Sequence, residues 1–440
     1  MNVHIESVEV EPGYRLEDYA EYNYLTSQVA DLEAAARISV PLLTGRKIWM
    51  VSSTRQGGGV AEGLPRVVSL MRQLGLSVEW VVIHSPDPAF FALTKRVHNH
   101  LHGVGKTGLG RRDRELYDGV STRLADEFAS ELGSDDILIV HDPQPLGMGA
   151  RLKAKRGLPT IWRCHVGFDQ TVPVSEEAWQ FLKADVLAYD RSIFTLDAYV
   201  PSFLSGKAAI IPPGIDPLTH KNRELSVPKT SGILIDAALA ATMHPVLTPP
   251  FEAPALRLQV DGSFKSAVFP EDLGLLFRPI LTQISRWDRL KGVGPLLDAF
   301  VLLKRGKPAR ARSDRHQLSI DHARLVLAGP EPEGVQDDPE ALEVLTELCE
   351  RWSNLPPELK HEIAILKLPL ASVKQNALMV NALQRCSTVV VQNSVREGFG
   401  LTVAEAMWKT RPVMGGAAAG IRAQLVDGTT GRLVDDPGNA

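Results

Sequence analysis

The sequence predicts an α/β protein built from two Rossmann-like domains, and three observations lead to this prediction. The chain has 440 residues, which is enough for two domains of ordinary size. Hydrophobic residues make up 44% and charged residues 23% of the chain, as is typical of globular proteins. Short apolar runs also alternate with longer helical patterns, which indicates a parallel sheet covered by helices.

The predicted first domain, residues 1–212, contains four clear strand patterns, and a glycine turn and a helix at 61–75 follow the first of them. Each strand ends in polar or glycine residues, and open α/β sheets bind their ligands at that edge. The strand patterns are KIWMVSST (47–54), VEWVVI (78–83), DILIV (136–140) and PTIWRC (159–164).

The predicted second domain, residues 213–440, begins at the break Pro212-Pro213-Gly214 and repeats the same rhythm. Residues 218–276 lack a clear period, and we expect an irregular insertion there. The last segment, TGRLVDDPGNA, is strand-like without the helix that would be expected to follow it, so we expect a truncated C-terminal end. The strand patterns are AAIIPPGID (208–216), PILTQISR (279–286), RLVLAG (324–329), IAILKL (363–368), TVVVQN (388–393) and RPVMGG (411–416).

Charge and cysteine usage limit the possible functions. The 48 basic and 52 acidic residues give a formal net charge of −4, so no overall basic field attracts nucleic acid or an acidic membrane. The three scattered cysteines predict free thiols in a reducing compartment. The N-terminus lacks the basic start and apolar run of a signal peptide, and no stretch approaches the roughly 18 apolar residues of a membrane span. We therefore expect a cytoplasmic protein.

The most informative segment for function is VREGFGLTVAEAMWKTRPVMGG (395–416). Glu397 lies in a turn with Gly398, Phe399 and Gly400 after a predicted strand, and a helix begins near Leu401. A helix N-terminus offers unpaired amides and a positive dipole end, which suits a phosphate. Glu405 lies about one turn into this helix, and carboxylates suit sugar or ribose hydroxyls. A capped helix with solvated acids is the alternative interpretation.

A second segment, SRWDRLKG (285–292), places Arg286 and Lys291 after another predicted strand. These two cations suit a diphosphate, because arginine binds it with a bidentate fork and lysine with a point charge. Charged surface loops are common, so the pair alone does not establish such a site. The glutamates that follow later in the chain complete the outline of a nucleotide-sugar pocket.

The first predicted domain contributes a glycine triplet and two histidines. Gly58 and Gly59 directly follow the first strand, where their backbone amides can approach a ligand closely. His141, next to Asp142, and His165, close to Arg163, end two further strands and are candidates for binding sugar hydroxyls or moving a proton. A structural role for each histidine is the alternative.

Histidines also occur at positions 98, 100 and 102, but no acid or cysteine stands at ligand spacing beside them. We therefore expect no metal site there.

Taken together, these segments resemble the retaining glycosyltransferases of the glycosyltransferase B fold, in the branch of the trehalose synthases and the trehalose phosphorylases. The resemblance runs nearly from end to end, and the REGFGLTVAEAMWK segment is highly specific for it. The matching segments are GGGVAE, FALTKRVHNHLHG (91–103), VHDPQP, IWRCHVG, YDRSIF, IPPGIDPL with KN, SRWDRLKG, and VREGFGLTVAEAMWK through GIRAQLVDGTTGRLV.

The resemblance implies two domains facing across a cleft and a role for each candidate residue. Glu397 would contact the donor glucose and Glu405 the ribose, while Arg286 and Lys291 would hold the diphosphate. His165 would contact the transferred sugar near its reacting carbon. The remaining donor residues would be Gly58, Gly59, Gly398, Phe399, Gly400 and Leu401. The acceptor residues would be Lys95, Asn99, His141, Asp142 and Arg163.

The implied reaction is a retaining transfer of glucose from a nucleoside diphosphate glucose to free glucose, which forms trehalose without a metal or cofactor. A phosphorylase that uses inorganic phosphate, a nucleotide-sugar-binding protein without turnover and a nucleotide-sugar epimerase remain as alternatives. The expected partners are the sugar substrates and, as a further possibility, a second copy of the chain in a homodimer.

Overall fold

The chain divides into two compact units, Met1–Gly214 and Ile215–Ala440, in a computed structural model. The structure describes residues 3–22, 24–55, 59–241, 250–266, 273–306, 313–332 and 340–439. Both units are layers of helices and largely parallel sheet, which confirms the predicted fold class.

The described residues of the first unit form a sheet of seven strands in the order β1-β3-β2-β4-β5-β6-β7. All neighbours are parallel except β1, which pairs antiparallel with β3 at one edge. The strands are β1 His4–Ser7, β2 Lys47–Ser52, β3 Ser77–His84, β4 Ile137–His141, β5 Thr160–Cys164, β6 Arg191–Phe194 and β7 Ala208–Ile210. The helices are α1 Leu16–Ala20, α2 Thr26–Ser39, α3 Gly59–Gln73, α4 Pro88–Leu101, α5 Arg111–Phe128, α6 Pro143–Arg156 and α7 Pro173–Leu187.

In the part of the second unit that the structure describes, eight strands form a sheet in the order β15-β14-β13-β10-β11-β12-β8-β9. The strands are β8 Leu256–Leu258, β9 Phe264–Ser266, β10 Ile280–Ile284, β11 Arg324–Pro330, β12 Ile363–Leu368, β13 Val389–Gln392, β14 Val413–Gly416 and β15 Arg432–Val434. The helices are α8 Val227–Asp236, α9 Val293–Arg305, α10 Asp314–Asp321, α11 Ala341–Ser353, α12 Pro357–Lys360, α13 Val373–Cys386, α14 Leu401–Trp408 and α15 Ala419–Arg422.

The expectation of an irregular segment at 218–276 was wrong in part, because this segment holds α8, β8 and β9. Strands β8 and β9 form an antiparallel hairpin that extends the sheet beyond β12. Each of the two strands has three residues, which is too short for an alternating pattern to stand out in a sequence window. Residues 242–249 and 267–272 of this segment lie outside the part that the structure describes.

The order of the strands brings candidate residues together at the edges of both sheets. In the first unit β4 and β5 are parallel neighbours, so the segments that follow His141 and Cys164 leave the sheet side by side. In the second unit β10 and β13 are parallel neighbours in the same way. Ligand sites of open α/β sheets form at this edge.

The three cysteines are free, as the sequence predicted. Burial raises the thiol pKa of Cys164 on β5 well above its usual value. Burial likewise raises the pKa to about 11 for Cys349 on α11 and to about 12 for Cys386 on α13. Among the helices that the structure describes, none combines the length and the apolar character needed to cross a bilayer.

Candidate functional site

The loops after β10 and β13, residues 285–292 and 393–400, are joined by hydrogen bonds of buried side chains. The Gln283 amide donates to the Lys291 carbonyl at 2.7 Å and accepts from the Asn393 backbone N–H at 2.9 Å. The Asn393 side chain donates to the Gly292 carbonyl at 3.0 Å. Gln283 is 1% and Asn393 is 7% exposed. These buried amides fix one loop against the other.

Gly292 is required where the two loops meet. Its φ of +61° lies in the left-handed region, and a Cβ built on it would lie 2.2 Å from the carbonyl oxygen of Asn393. Glycine therefore allows the backbone that carries Lys291 to approach the loop that carries Glu397.

The carboxylate of Glu397 is held by three donors on one of its oxygens. Its Oε2 accepts from Lys291 Nζ at 2.6 Å, from Ser394 Oγ at 3.0 Å and from Gln392 Nε2 at 3.2 Å. The Lys291 and Glu397 side chains are 16% and 13% exposed, so their ion pair is only partly screened by water. The structure thus brings together two residues that the sequence placed in one pocket.

Arg286 lies in the same loop as Lys291, and its side chain is 34% exposed. Its guanidinium Nη2 is 3.9 Å from Asp288 Oδ2. Asp288 in turn accepts from the Leu290 N–H at 2.8 Å and caps the short 3₁₀ turn Arg289–Lys291. Both candidate cations therefore lie on a loop whose backbone is fixed.

The turn before α14 is fixed by Gln424, which follows α15. Gln424 Nε2 donates to the carbonyls of Phe399 at 2.5 Å and Gly400 at 3.3 Å. Gly400 has a φ of +86°, and α14 begins at the next residue, Leu401, as the sequence predicted. Gly398 belongs to the same turn and joins it to Glu397.

Glu405 lies one turn into α14 and is 3% exposed. Its Oε1 is 3.0 Å from Lys221 Nζ, and its Oε2 accepts from Gln384 Nε2 at 3.4 Å. Burial would raise the pKa of this carboxyl, but the ammonium groups of Lys221 and Lys409 outweigh burial and hold the pKa below its usual value. Glu405 is therefore a buried carboxylate with a cation beside it.

Lys409 completes this buried network, and sequence reasoning missed it. Its Nζ donates to Gln384 Oε1 at 2.6 Å, to Asn222 Oδ1 at 3.0 Å and to the Glu405 carbonyl at 3.3 Å. Burial lowers the pKa of Lys409 to about 7. Its position four residues after Glu405, directly at the end of α14, was the available signal. Lys221, which pairs with Glu405, and Asn222, which accepts from Lys409, both lie in the KN segment, far away in the chain.

In the first unit, His141 and His165 contact each other directly. Their rings stack at a centroid distance of 5.3 Å with planes 12° apart, and His141 Nδ1 is 3.0 Å from His165 Nε2. His141 is the last residue of β4, and His165 follows the last residue of β5. The adjacent strand ends therefore produce the pair.

Asp142 adopts a strained backbone beside this pair. Its φ is 64° and its ψ is 178°, which a residue with a Cβ rarely adopts and which costs on the order of 1–3 kcal/mol. Three hydrogen bonds hold it: its N–H donates to the Arg163 carbonyl at 2.9 Å, its carbonyl accepts from Trp162 Nε1 at 3.0 Å, and its Oδ1 accepts from the His165 N–H at 2.8 Å.

Burial shifts the titration of this cluster toward neutral forms. It lowers the pKa of His141 to about 3 and the pKa of His165 well below its usual value, and nearby Arg163 adds to both shifts. It raises the pKa of Asp142 to about 7 and lowers the pKa of Arg163. The histidines are therefore neutral imidazoles near pH 7.

The other candidates of the first unit lie elsewhere on it. Gly59 is the first residue of α3, and Gly58 lies outside the described residues. Lys95 and Asn99 are half-buried and lie one turn apart on α4, which packs against α5, α6 and α7. The acceptor role of Lys95 and Asn99 stays a prediction.

His98 and His102 contact each other through their rings at 5.1 Å. Within the described ranges, no group of three or more histidine, cysteine, aspartate or glutamate side chains is placed to hold a metal ion.

Comparison with known proteins gives matches to both units. Residues 50–201 match the family model described as the N-terminal domain of trehalose synthase, and residues 276–440 match glycosyl transferases group 1. A trehalose synthase from Thermococcus litoralis is 35% identical over 433 residues, which are 97% of this chain and 87% of that protein. A trehalose phosphorylase from Pleurotus sajor-caju is 28% identical over 88% of this chain and 50% of that protein.

Among solved structures, an α,α-trehalose-phosphate synthase (UDP-forming) from Burkholderia vietnamiensis aligns with a TM-score of 0.59 and 17% identity. The alignment covers 88% of this chain and 86% of that one. At 17% sequence identity, this structural similarity supports the fold alone.

Proposed function

Because the chain belongs to the trehalose synthase family, we propose that it is a retaining glucosyltransferase that moves glucose from a nucleoside diphosphate glucose to free glucose and forms trehalose. The observation that carries this proposal most is the contact of Lys291 with Glu397, with Arg286 on the same loop. The Glu397 carboxylate, which suits sugar hydroxyls, and the Lys291 ammonium, which suits phosphates, are in contact just before α14 begins.

On the donor side, Arg286 and Lys291 hold the diphosphate, and Glu397 accepts hydrogen bonds from the glucose hydroxyls. The turn Gly398–Leu401 borders the donor, and the predicted donor role of Gly58 and Gly59 is kept as part of the proposal. Glu405 accepts from the ribose hydroxyls. Its charge is supported by the contact with Lys221, which keeps this buried carboxylate ionised.

On the acceptor side, His165 contacts the transferred glucose near its reacting carbon. Asp142, His141 and Arg163, together with Lys95 and Asn99 of α4, border the acceptor glucose. The neutral state of both histidines suits the recognition of uncharged hydroxyl groups, to which an imidazole can both donate and accept.

The proposed chemistry is a substitution on one face of the sugar. The bond between the anomeric carbon and the diphosphate oxygen breaks, and the acceptor hydroxyl oxygen forms its bond on the same face. The hydroxyl proton passes to an oxygen of the leaving diphosphate. Lys291 and Arg286 stabilise the negative charge that develops there, so electrostatic stabilisation and positioning lower the barrier. The reaction needs no metal or cofactor, and activity is expected to persist in a chelator.

The second candidate function is a trehalose phosphorylase, which the match to the Pleurotus protein favours. The chain spans half the length of that relative. Inorganic phosphate would replace the diphosphate at the same cations. A protein that binds the nucleotide sugar without turnover is the third candidate.

One set of incubations separates the three functions. Purified protein is given trehalose with inorganic phosphate, trehalose with a series of nucleoside diphosphates, and each nucleoside diphosphate glucose with glucose. The proposal expects trehalose from one of the donors, with α,α configuration by NMR, and the nucleotide sugar in the reverse direction. Glucose phosphate formed only with inorganic phosphate would establish the phosphorylase. Saturable donor binding without any product would contradict both enzymes.

The three free thiols also support a reducing, cytoplasmic location, which we include in the proposal. Fractionation of cells that make the protein, followed by immunodetection, tests it.

A further inference from the structure

We propose that His141 is a positioning residue that sets the proton position on His165: His141 donates from Nδ1–H to Nε2 of His165, so that His165 carries its own proton on Nδ1. This inference rests on the proposed function only in the use that His165 makes of that proton. The arrangement of the two rings is a property of the first unit alone.

The first step is the contact between the rings. Nδ1 of His141 and Nε2 of His165 are 3.0 Å apart, which is a hydrogen-bond distance. Burial holds both rings in the neutral form near pH 7, and a neutral imidazole carries one N–H and one bare nitrogen. One proton therefore lies between the two nitrogens, and it belongs to one of the two rings.

The second step assigns this proton to His141. Nε2 of His141 is buried, and it has no hydrogen-bond partner among the residues that the structure describes. If His165 donated, the His141 proton would have to sit on this nitrogen as a buried N–H without an acceptor. Such an unmade bond is unfavourable, and orphaned donors are rarer in proteins than orphaned acceptors. The arrangement with the proton on Nδ1 of His141 avoids this cost.

The third step is the consequence for His165. Its Nε2 is occupied as an acceptor, so its remaining nitrogen, Nδ1, is a hydrogen-bond donor. The backbone is fixed as well, because the His165 N–H donates to Asp142 Oδ1 at 2.8 Å. His165 therefore presents an N–H to an oxygen of the sugar that it contacts and does not act there as a base. In histidines generally, the hydrogen bond made by one ring nitrogen decides whether the other ring nitrogen carries the proton.

The first experiment measures the proton positions without any substrate. The full chain is labelled with ¹⁵N-histidine, and the ring nitrogens are recorded near pH 7. The signals of the pair are assigned by their loss in His165→Gln and His141→Asn. We expect a pyrrole-type shift for Nδ1 and a pyridine-type shift for Nε2 of His165. A protonated Nε2 of His165 overturns the proposal.

The second experiment compares two replacements of His141. His141→Leu removes the donor, and His141→Asn keeps an N–H close to the position of Nδ1. We expect kcat to fall about 10–100-fold in His141→Leu, with the KM for the donor changed by less than about threefold, and we expect His141→Asn to recover most of this loss. Wild-type kcat in folded His141→Leu, or equal losses in both variants, overturns the proposal.

The two experiments separate this proposal from the proposed function. The ring-nitrogen shifts report the tautomer even if no trehalose is formed. Full activity of His165→Ala would instead remove the role of His165 in the reaction and leave the measured tautomer unchanged. If His141→Leu does not fold, the wild-type spectrum still decides the proton position.

Discussion

Lys291 and Arg289 are two residues apart on the same 3₁₀ turn and occupy different environments. Lys291 is largely buried and bonds to Glu397. The Arg289 side chain is half exposed and forms its ion pairs with Glu347 and Glu343 on the surface, at 2.7 Å and 3.1 Å. The turn thus supplies both a candidate catalytic cation and a matched control for it.

We expect Lys291→Ala and Arg286→Ala each to lower kcat by ~10²–10³, because a charge that stabilises the leaving diphosphate is lost. Steady-state kinetics with the best donor measure the effect. Arg289→Ala should leave kcat unchanged and lower the free energy of unfolding by less than about 1 kcal/mol, as is usual for exposed ion pairs. Near-normal turnover in both Lys291→Ala and Arg286→Ala would exclude a role of these two cations in binding the diphosphate.

Asp142 predicts a pH dependence of stability. Burial raises the pKa of its carboxyl to about 7 in the folded chain, and an exposed aspartate titrates near 3.9. Between about pH 4 and about pH 7 the folded chain therefore binds more protons at this group than the unfolded chain. The contribution of Asp142 to the free energy of unfolding falls as the pH rises through that range.

Asp142→Asn removes this contribution, so its stability relative to the wild type should increase from about pH 4 to about pH 7. Urea unfolding at several pH values measures the difference. Asp136→Asn is the control: burial opposes the shift, but hydrogen bonds from Trp49 and two backbone groups outweigh it and lower the pKa of Asp136, so the stability of this variant relative to the wild type should not increase over this range. A constant difference for Asp142→Asn would show that its pKa is not raised.

At the scale of elements, the joint between the loops after β10 and β13 depends on Gly292. We expect Gly292→Ala to reduce both stability and activity, because the new Cβ would overlap the Asn393 carbonyl and displace Lys291 from Glu397. Gly262→Ala is the control, since Gly262 also has a positive φ of +81° but has open space around its Cβ position.

The control should cost about 1–2 kcal/mol from its left-handed backbone and leave kcat intact. Urea unfolding and steady-state kinetics of both variants measure these effects. Equal behaviour of the two variants would show that the close approach at Gly292 does not matter.

The sequence predicted some elements of the site well and others poorly. Leu401 was identified as the start of a helix because glycines precede it and an apolar pattern follows it. The hairpin of β8 and β9 was missed because its strands are short. The bond of Lys409 to Asn222 joins residues 187 positions apart, and no local pattern reports such a contact. The contact of His141 with His165 likewise could not be predicted without knowing that β4 and β5 are neighbours in the sheet.

At the scale of the whole molecule, each unit has buried clusters of its own, so we expect unfolding to depart from a two-state transition. Leu138 on β4 and Ile365 on β12 are both completely buried. Leu138→Ala and Ile365→Ala should each cost about 2–5 kcal/mol, and each should act mainly on its own unit.

Hydrogen exchange with mass spectrometry in increasing urea follows the two units separately. Leu138→Ala should advance the exchange of peptides from residues 3–214, and Ile365→Ala that of peptides from residues 215–439. An equal shift of both sets of peptides by either variant would show that the chain unfolds as one cooperative block.

The two-domain organisation was predictable, because the alternation of strands and helices restarts after residue 213 and each half carries its own strand-end residues. The functional roles of the candidate residues came from the resemblance of several segments to a known family. The sequence pattern alone left a structural role open for every candidate histidine, glycine and acid.

The raised pKa values of the three thiols have a practical consequence. A thiol reacts with alkylating reagents as its thiolate, and the raised pKa values keep all three cysteines protonated and slow to react in the native chain. Cys164 belongs to the first unit, and Cys349 and Cys386 belong to the second. The chain can be exposed briefly to an alkylating reagent and its added mass measured. The modified cysteines then report which half of the chain has opened, with no engineered label.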